Sequence, residues 1–508
     1  MTSRRRRTLS VVLALAALLA TAACGPRSGN GSGASAAAAS AAPEEAASVR
    51  PNIVFVLTDD LSENLVPYMP NVLALQREGT TFTNYTVTDS LCCPSRASIL
   101  KGQFPHNTGI FKNHGSDGGF RLFHSRGEES STFATDLQAA GYKTAFLGKY
   151  LNEYNARNPG GLGKPYTPPG WDLWVAGGNA YGNFNYALNE NNVVRKYGNQ
   201  PRDYLTDVIS AKASEFITTS AAAGSPFMVE VSTYAPHSPY TPAPRDANSF
   251  PGLKAPRGAA FNRLPADAPP WLRNVPPLTA DRQATLDVEF RKRVQAVQSV
   301  DRMLGALRAT LTTAGVADRT VVIFSSDNGY HLGEYRLPSG KQTAFDTDIN
   351  VPLIVAGHGV AVARTVTAPV ENVDLRPTFA DLAGAEPPAE ADGRSIKGLL
   401  AGETPAKWRT VSLIEHRDPA TDPADPDFQH DSVNIPPAYD AMRTVRYTYV
   451  KYVDGSREYY DRMNDPLQMR NLARNLSPAE IAALDRALLA LTRCAGADSC
   501  LAAGQAIN

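Results

Sequence analysis

The chain has 508 residues, which is enough for one large domain with its own core and a smaller second domain. Lysine plus arginine and aspartate plus glutamate number 50 each, so the formal net charge is zero. This balance excludes a strongly basic chain of the kind that binds nucleic acid. Any polyanion would have to bind in a local basic pocket.

The first 24 residues have the pattern of an export signal. Arginines at positions 4–7 precede an apolar run, residues 9–20, that is too short to span a bilayer comfortably. Two alanines then lead to Cys24, as in a bacterial lipobox whose cysteine becomes the lipidated first residue. Ordinary cleavage is the alternative, and the arginines leave a twin-arginine export route open. We expect an exported bacterial protein that is either secreted or held at the cell surface only through a lipid on Cys24.

Composition also predicts how the rest of the chain is divided. Residues 25–49 consist mainly of Gly, Ser, Ala and Glu and predict a flexible linker. We expect the main domain, which carries the chemistry, at residues 50–385 and a C-terminal subdomain at residues 386–508. Cys494 and Cys500 bracket a short loop, and in an oxidising compartment this spacing predicts a disulfide.

Within the main domain, apolar β-rich runs alternate with helical runs. The predicted strands cover residues 52–57, 143–147, 227–232, 321–325 and 351–355. The predicted helices cover residues 70–78, 132–140, 204–219, 280–313 and 374–383. This alternation predicts an α/β fold with a large, mostly parallel sheet sandwiched by helices. Proline-rich residues 236–277 predict a long ordered loop near the functional site.

After about residue 385 the pattern changes. Residues 411–415, 442–453 and 458–461 predict short strands of a meander. Residues 478–492 predict a terminal helix with one apolar face. The sequence therefore predicts a smaller, antiparallel α+β subdomain packed on the main domain.

Several polar side chains follow directly on predicted strands of the main domain. In open α/β sheets, ligands bind beyond the carboxyl ends of the strands, so we expect one shared site there. The residues concerned are Asp59, Asp60, Lys149, His237, Asp327 and Asn328.

Residues 92–96, Cys-Cys-Pro-Ser-Arg, are the most informative segment of the chain. Taken alone, Cys92 before a proline-started turn is equally well explained as a buried thiol. The segment resembles the Cys-x-Pro-Ser-Arg signature of type I sulfatases, in which a dedicated enzyme oxidises the first cysteine to formylglycine. The longer family pattern continues Leu-Thr-Gly, whereas Lys101 replaces the threonine here.

The resemblance implies how such a site works. A formylglycine at position 92 hydrates to a geminal diol, one hydroxyl of which attacks sulfur. The second hydroxyl then expels the sulfate as the aldehyde re-forms. Arg96, one helical turn further on, can face residue 92 and support the diol. A formylglycine-generating enzyme is therefore an expected partner during maturation.

The resemblance also implies a metal site. Asp59, Asp60, Asp327 and Asn328 match the family's calcium ligands, and the modified Cys92 completes the set. Hard oxygen donors of this kind suit Ca²⁺ or Mg²⁺, and we expect one calcium ion. Two-zinc phosphatases of the same superfamily typically need histidine ligands, which the sequence lacks at these positions.

Three more residues match catalytic positions of the family. Lys149 and Lys341 match lysines that hold the sulfate, and His237 matches the histidine that protonates the leaving alcohol. Many sulfatases have a histidine two residues after the first lysine, where this chain has Leu151. The group that assists diol deprotonation is therefore open, with Asn152 as a candidate.

Within the family, residues 148–154, 235–239 and 326–333 resemble N-acetylglucosamine-6-sulfatases of heparan and keratan sulfate breakdown. We therefore expect a sulfuric ester hydrolase acting on sulfated sugars such as N-acetylglucosamine-6-sulfate of glycosaminoglycans. His331 is either a substrate contact or a hydrogen-bonded loop histidine. Two alternatives stay open: a phosphonate or phosphate ester hydrolase of the alkaline phosphatase superfamily, and a non-catalytic glycan-binding protein.

Overall fold

The structure is a computed structural model that describes residues 50–417, 425, 427 and 435–505. The expected export signal and linker, residues 1–49, lie outside the described residues. The strands are β1 (Asn52–Thr58), β2 (Gly79–Phe82), β3 (Tyr85–Thr86), β4 (Lys143–Lys149), β5 (Leu173–Gly177), β6 (Ala187–Glu190), β7 (Val193–Lys196), β8 (Phe227–Ser232), β9 (Thr320–Ser326), β10 (His331–Leu332), β11 (Ser339–Gly340), β12 (Leu353–Gly357), β13 (Arg364–Val366), β14 (Val370–Glu371), β15 (Val411–His416), β16 (Tyr439–Thr444), β17 (Tyr447–Tyr452) and β18 (Arg457–Asp461).

One helix, Ala280–Thr313, is far longer than the other helices among the described residues. The helices are α1 (Pro70–Glu78), α2 (Cys92–Lys101), α3 (Pro105–Thr108), α4 (Gly119–Ser125), α5 (Phe133–Ala139), α6 (Leu205–Ala222), α7 (Ala280–Thr313), α8 (Asp346–Ile349), α9 (Leu375–Leu382), α10 (Lys397–Leu400), α11 (Pro478–Leu491) and α12 (Ala497–Gln505). Among the described residues, no helix has both the length and the apolar character needed to cross a bilayer.

A ten-stranded sheet organises the main part of the chain, in the order β13-β2-β12-β9-β1-β8-β4-β5-β6-β7. The five neighbouring strands β9-β1-β8-β4-β5 run parallel. Strands β12, β6 and β7 pair antiparallel with their neighbours. The predicted large sheet covered by helices is confirmed, and it is mixed towards its edges.

Helices cover both faces of this sheet, which explains why its central strands are apolar without alternation. Along β1, Ile53, Phe55 and Leu57 point to the core formed with α2, α5 and α9. Val54 and Val56 point to the opposite core, formed with α1, α6 and α7. Both cores hold the strand ends in place, and the strand ends carry the polar residues discussed below.

The C-terminal part contains a separate antiparallel sheet, in the order β15-β16-β17-β18. Leu488 of α11 packs with Leu413 and Met442 of this sheet. The predicted small antiparallel sheet is thus confirmed, although the single strand expected at residues 442–453 is divided into β16 and β17. The boundary expected at residue 385 stays a prediction.

The end of the described chain is held by a disulfide. Cys494 and Cys500 are bonded, with their Cα atoms 4.9 Å apart, as the sequence predicted. The loop expected between them is shorter than predicted, because α12 already begins at Ala497. The long proline-rich loop at residues 236–277 is confirmed, with Pro244–Asp246 as a 3₁₀ turn within it.

Candidate active site

The parallel strands end at one level, and this brings distant residues together. Leu57 pairs with Ser232 on one side and Ser325 on the other, and Gly148 also pairs with Ser232. The residues that complete or follow these strands therefore meet at one edge of the sheet. All the predicted site residues are buried there: Asp59, Asp60, Cys92, Arg96, Lys149, His237, Asp327, Asn328 and Lys341.

Cys92 is the first residue of α2 and is completely buried. Its Sγ lies 2.9 Å from Lys341 Nζ and 3.3 Å from Asp59 Oδ1. Burial, and next the negative charges of Asp427 and Asp59, raise the pKa of this thiol well above its usual range. An unmodified Cys92 is therefore a neutral thiol and a poor nucleophile, because the thiolate is the reactive form.

Arg96 ties α2 to the ends of three strands. Its Nε donates to Asp327 Oδ2 at 2.7 Å, and its Nη1 donates to the carbonyl of Lys149 at 2.8 Å and to Ser232 Oγ at 2.5 Å. These contacts place Arg96 among the strand ends, so it fixes how α2 presents Cys92 to the site.

Two buried lysines face the two adjacent aspartates. Lys149 Nζ donates to Asp59 Oδ2 at 2.6 Å, and Lys341 Nζ donates to Asp60 Oδ1 at 2.6 Å. Lys341 also contacts Cys92, so the nucleophile position lies between the lysines and the carboxylates. Both ammonium groups can interact with an anionic substrate held beside Cys92.

His237 faces the same centre from the start of the proline-rich loop. Its Nε2 lies 2.9 Å from Asp427 Oδ1 and 3.6 Å from Asp60 Oδ2, while Nδ1 lies 2.7 Å from the carbonyl of Ser238. Burial lowers the pKa of His237, but the charges of Asp60, Asp59 and Asp427 outweigh it and raise the pKa to about 8. In this arrangement the ring carries a proton near neutral pH and can donate it.

The site also brings together donor atoms that could hold a metal ion. The ligand atoms of Asp59, Asp60, Cys92 and His237 all lie within 4.8 Å of one another. Asn328 Nδ2 donates to Asp60 Oδ1 at 2.7 Å, while Asn328 Oδ1 is buried without a hydrogen-bond partner among the described residues. A buried carbonyl oxygen without a partner is costly unless a ligand satisfies it.

Asp327 is outside this group of four but is hydrogen-bonded next to it. One carboxylate oxygen accepts from Arg96, and the other accepts from the backbone N–H of Asp60 at 3.2 Å. Asp60 itself has a left-handed backbone with φ of 62°. Arg293 of α7 donates to the carbonyl of Asp60 at 2.5 Å and so holds this turn.

Sequence reasoning missed Asp427 and Asn113. The carboxylate of Asp427 lies 2.8 Å from Lys341 Nζ and 2.9 Å from His237 Nε2, and it accepts from Asn113 Nδ2 at 2.7 Å. Burial raises the pKa of Asp427, but Lys341 and His237 outweigh it and hold the pKa well below its usual range. No motif marks this residue, because its Asp- and Pro-rich surroundings have the composition of an ordinary polar loop.

His331 and Asn152 are two further candidate residues from the sequence. His331 Nδ1 lies 3.0 Å from both oxygens of Asp348, which favours the interpretation as a hydrogen-bonded loop histidine. Asn152 is buried, and its Oδ1 has no partner among the described residues. Its role in deprotonation stays a prediction.

Opposite charges nearly cancel in the site as described. The carboxylates are Asp59, Asp60, Asp327 and Asp427, and they face Arg96, Lys149, Lys341 and the protonated ring of His237. A divalent cation beside the carboxylates would make the centre positive. An anionic ester requires this, because burying its charge without compensation is costly.

The sequence model of the family described as Sulfatase matches residues 51–385, about two thirds of the chain. The chain therefore belongs to the sulfatase family and is a sulfatase. A second model, described as N-sulphoglucosamine sulphohydrolase, C-terminal, matches residues 333–493.

Relatives agree with this assignment, and solved structures share the fold. The N-acetylglucosamine-6-sulfatase of Capra hircus is 35% identical over 478 residues, covering 88% of this chain and 84% of the relative. The structure of BT4656 with its substrate D-glucosamine-2-N,6-O-disulfate superposes with a TM-score of 0.72 at 24% identity, covering 87% and 97% of the two chains. A phosphonate monoester hydrolase from Silicibacter pomeroyi has a TM-score of 0.67 at 22% identity, covering 86% and 93%. The two structural matches show the fold alone.

Proposed function

We propose that this sulfatase hydrolyses sulfate esters of sulfated sugars such as N-acetylglucosamine-6-sulfate, using a formylglycine formed from Cys92 and one calcium ion. The observation that carries the proposal is the position of Cys92 Sγ, which lies 2.9 Å from Lys341 Nζ and 3.3 Å from Asp59 Oδ1. This sulfur marks where an oxygen of the oxidised side chain would lie. The 35% identity to the goat N-acetylglucosamine-6-sulfatase supports the choice of sugar.

The site already holds an anionic oxygen group. Lys341 Nζ and His237 Nε2 lie 2.8 and 2.9 Å from Asp427 Oδ1, and the other oxygen of this carboxylate lies 3.5 Å from Cys92 Sγ. A sulfate ester presents similar oxygens to the same donors, so it can bind with its sulfur beside residue 92. Charged donors that are buried and held in place stabilise developing negative charge without reorganisation.

Each of the site residues then has its own role in the proposed reaction. Lys149 and Lys341 bind sulfate oxygens, and Arg96 keeps residue 92 pointing at the sulfur. His237 donates the proton that the departing sugar oxygen needs as the S–O bond breaks. When formed, the formylglycine supplies a hydrated aldehyde whose hydroxyl is the nucleophile.

The metal ligands in this proposal are Asp59, Asp60, Asp327 and Asn328, with the modified residue 92 as the fifth. When bound, calcium polarises sulfate oxygens and offsets negative charge. The free Oδ1 of Asn328 and the set of hard oxygen donors support Ca²⁺ over a thiophilic metal.

We also propose that the protein is exported, with residues 50–385 as the catalytic domain and a formylglycine-generating enzyme as maturation partner. The Cys494–Cys500 disulfide supports an oxidising destination, since disulfides seldom persist in reducing cytosol. Lipid attachment at Cys24 is the proposed link to a membrane. Mass spectrometry of the N-terminal peptide distinguishes a lipidated Cys24 from ordinary cleavage.

The proposed function is tested by comparing rates on 4-nitrophenyl sulfate, 4-nitrophenyl phosphate and a phenyl phosphonate monoester. The protein is purified from a host that contains a formylglycine-generating enzyme. We expect kcat/KM for the sulfate ester to exceed both others by at least about 100-fold, roughly 2.7 kcal/mol of transition-state preference. A preference for either phosphorus ester would favour the phosphonate or phosphate hydrolase. Lack of turnover by formylglycine-containing protein would favour the glycan-binding alternative.

Removing calcium should weaken the folded state as well as the activity. The buried carboxylates of Asp59 and Asp60 share a small volume, and calcium bound only to the folded protein stabilises it. At a free calcium concentration about 100-fold above Kd, we expect a gain of about 2.7 kcal/mol over EGTA-treated protein. Differential scanning fluorimetry with EGTA, Ca²⁺ or Zn²⁺ measures this, and equal melting temperatures in all three would contradict a calcium site.

A further inference from the structure

A cavity of about 210 Å³ lies beside the site. It is below the roughly 300 Å³ at which pockets for drug-sized ligands begin, so its size suits one sugar ring better than a longer stretch of chain. Asp60, His237, Lys341 and Asp427 form its inner wall, next to the nucleophile position. The outer wall must therefore contact whatever carries the sulfate.

The outer wall combines aromatic rings with one carboxylate. Tyr240 and Tyr330 line it, and their hydroxyl groups are hydrogen-bonded at 2.7 Å. Glu289 lines it as well, and its Oε2 is buried without a hydrogen-bond partner among the described residues. Its nearest charged neighbour, Arg282 Nη1, lies 3.8 Å from the other oxygen. Glu289 thus offers the cavity an acceptor that no described residue uses.

The helix α7 fixes this carboxylate relative to the reaction centre. Glu289 and Arg293 are four residues apart and so lie on the same face of α7. Arg293 is fully buried, donates to the carbonyl of Asp60 at 2.5 Å and stacks 4.2 Å from the Tyr330 ring centre. Glu289 and Tyr330 line the same cavity, so α7 holds the carboxylate next to the reaction centre.

An ionised carboxylate can only accept hydrogen bonds. It attracts hydroxyl, amide or ammonium groups and repels a sulfate or carboxylate at the same place, strongly so where water is excluded. Resting on the proposed function, we propose that Glu289 is a specificity-determining residue that selects sugars with a hydrogen-bond donor beside it and excludes a second sulfate on the same ring. The enzyme therefore acts on rings that carry no sulfate at the position beside Glu289.

The test compares kcat/KM for N-acetylglucosamine-6-sulfate with kcat/KM for two disulfated glucosamines, the 2-N,6-O- and 4-O,6-O-disulfates. The wild-type enzyme should prefer the monosulfate by at least about tenfold over the disulfate whose second sulfate lies beside Glu289. Glu289→Gln keeps the size and one acceptor oxygen but removes the charge and adds a donor. We expect it to raise relative turnover of that disulfate by at least about tenfold, mainly through KM.

Two controls separate this role from a structural one. Glu289→Gln should match wild type in melting temperature and in the formylglycine content of the peptide covering residues 78–96, which shows that the protein folds and matures normally. Asp281→Asn removes the same charge from an exposed position of α7 and should leave every substrate ratio unchanged. If Glu289→Gln folds and contains formylglycine as wild type does, and neither disulfate ratio moves, the proposed role of Glu289 is wrong. If formylglycine-containing wild-type enzyme cleaves no sulfate ester, the proposed function itself fails.

Discussion

Replacing Cys92 by alanine should lower kcat/KM on 4-nitrophenyl sulfate by at least about 10⁴-fold, because the covalent nucleophile is lost. The fold should survive, since the side chain removed is small, although its site is fully buried. Rates are measured beside a mass analysis of the tryptic peptide covering residues 78–96. That peptide should contain formylglycine at position 92 in the active wild-type protein.

The adjacent cysteine provides a matched control. Cys93 is equally buried, packs in the core between the sheet and α2, and donates its backbone N–H to Asn113. Cys93→Ala should cost about 1 kcal/mol of stability, as for one buried methyl-sized group. Its kcat/KM should stay within about twofold of wild type. Comparable activity in Cys92→Ala, or equal losses in both variants, would rule out residue 92 as the nucleophile.

Replacing Arg96 by methionine should lower the free energy of unfolding by about 3–5 kcal/mol in the presence of EGTA. Arg96 and Asp327 are both buried, at 4% and 0% side-chain exposure, so the variant leaves a buried carboxylate without its partner. The carbonyl of Lys149 and the hydroxyl of Ser232 lose a donor as well. Urea titrations followed by circular dichroism measure the change.

Calcium and an exposed ion pair serve as controls for this effect. Added Ca²⁺ should recover part of the loss, because Asp327 is one of the proposed ligands. Arg245→Met breaks an exposed pair with Asp207 in which the arginine side chain is 45% exposed, and should cost no more than about 1 kcal/mol. A loss in Arg96→Met no larger than in Arg245→Met would show that the buried pair does not hold the strand ends together.

The fold could be predicted well where both faces of an element are buried. Residues 52–57 and 227–232 are continuous apolar runs, and both became central strands. The short strands β6 and β7 near one edge of the sheet were missed, and β7 at the edge is largely exposed and has no apolar pattern. The turn at Val445 was missed because Thr, Val, Arg and Tyr all suit a strand as well as a tight connection.

The site could be predicted as far as it consists of local motifs. The Asp59–Asp60 pair follows directly on a predicted strand, and Cys92 and Arg96 belong to one short motif at the start of α2, so neighbouring residues reveal them. Asp427 contacts Cys92 although the two residues are 335 positions apart in the chain, and the sequence around Asp427 has no periodicity or motif. Glu289 is similar, because one glutamate on a long helix is ordinary until the structure shows that its carboxylate lines the cavity.

Burial of Cys92 has a consequence for the order of events in the cell. Every residue of α2, from Cys92 to Lys101, is buried, so a folded chain offers no access to an oxidising enzyme. Asp327, which pairs with Arg96 in the folded chain, is synthesised 231 residues after Arg96. At about 5–20 residues per second, that interval lasts roughly 10–50 s. Under the proposed oxidation of Cys92, the yield of active enzyme would be set by the relative rates of oxidation and folding, and a chain that folded first would remain inactive until it unfolded again.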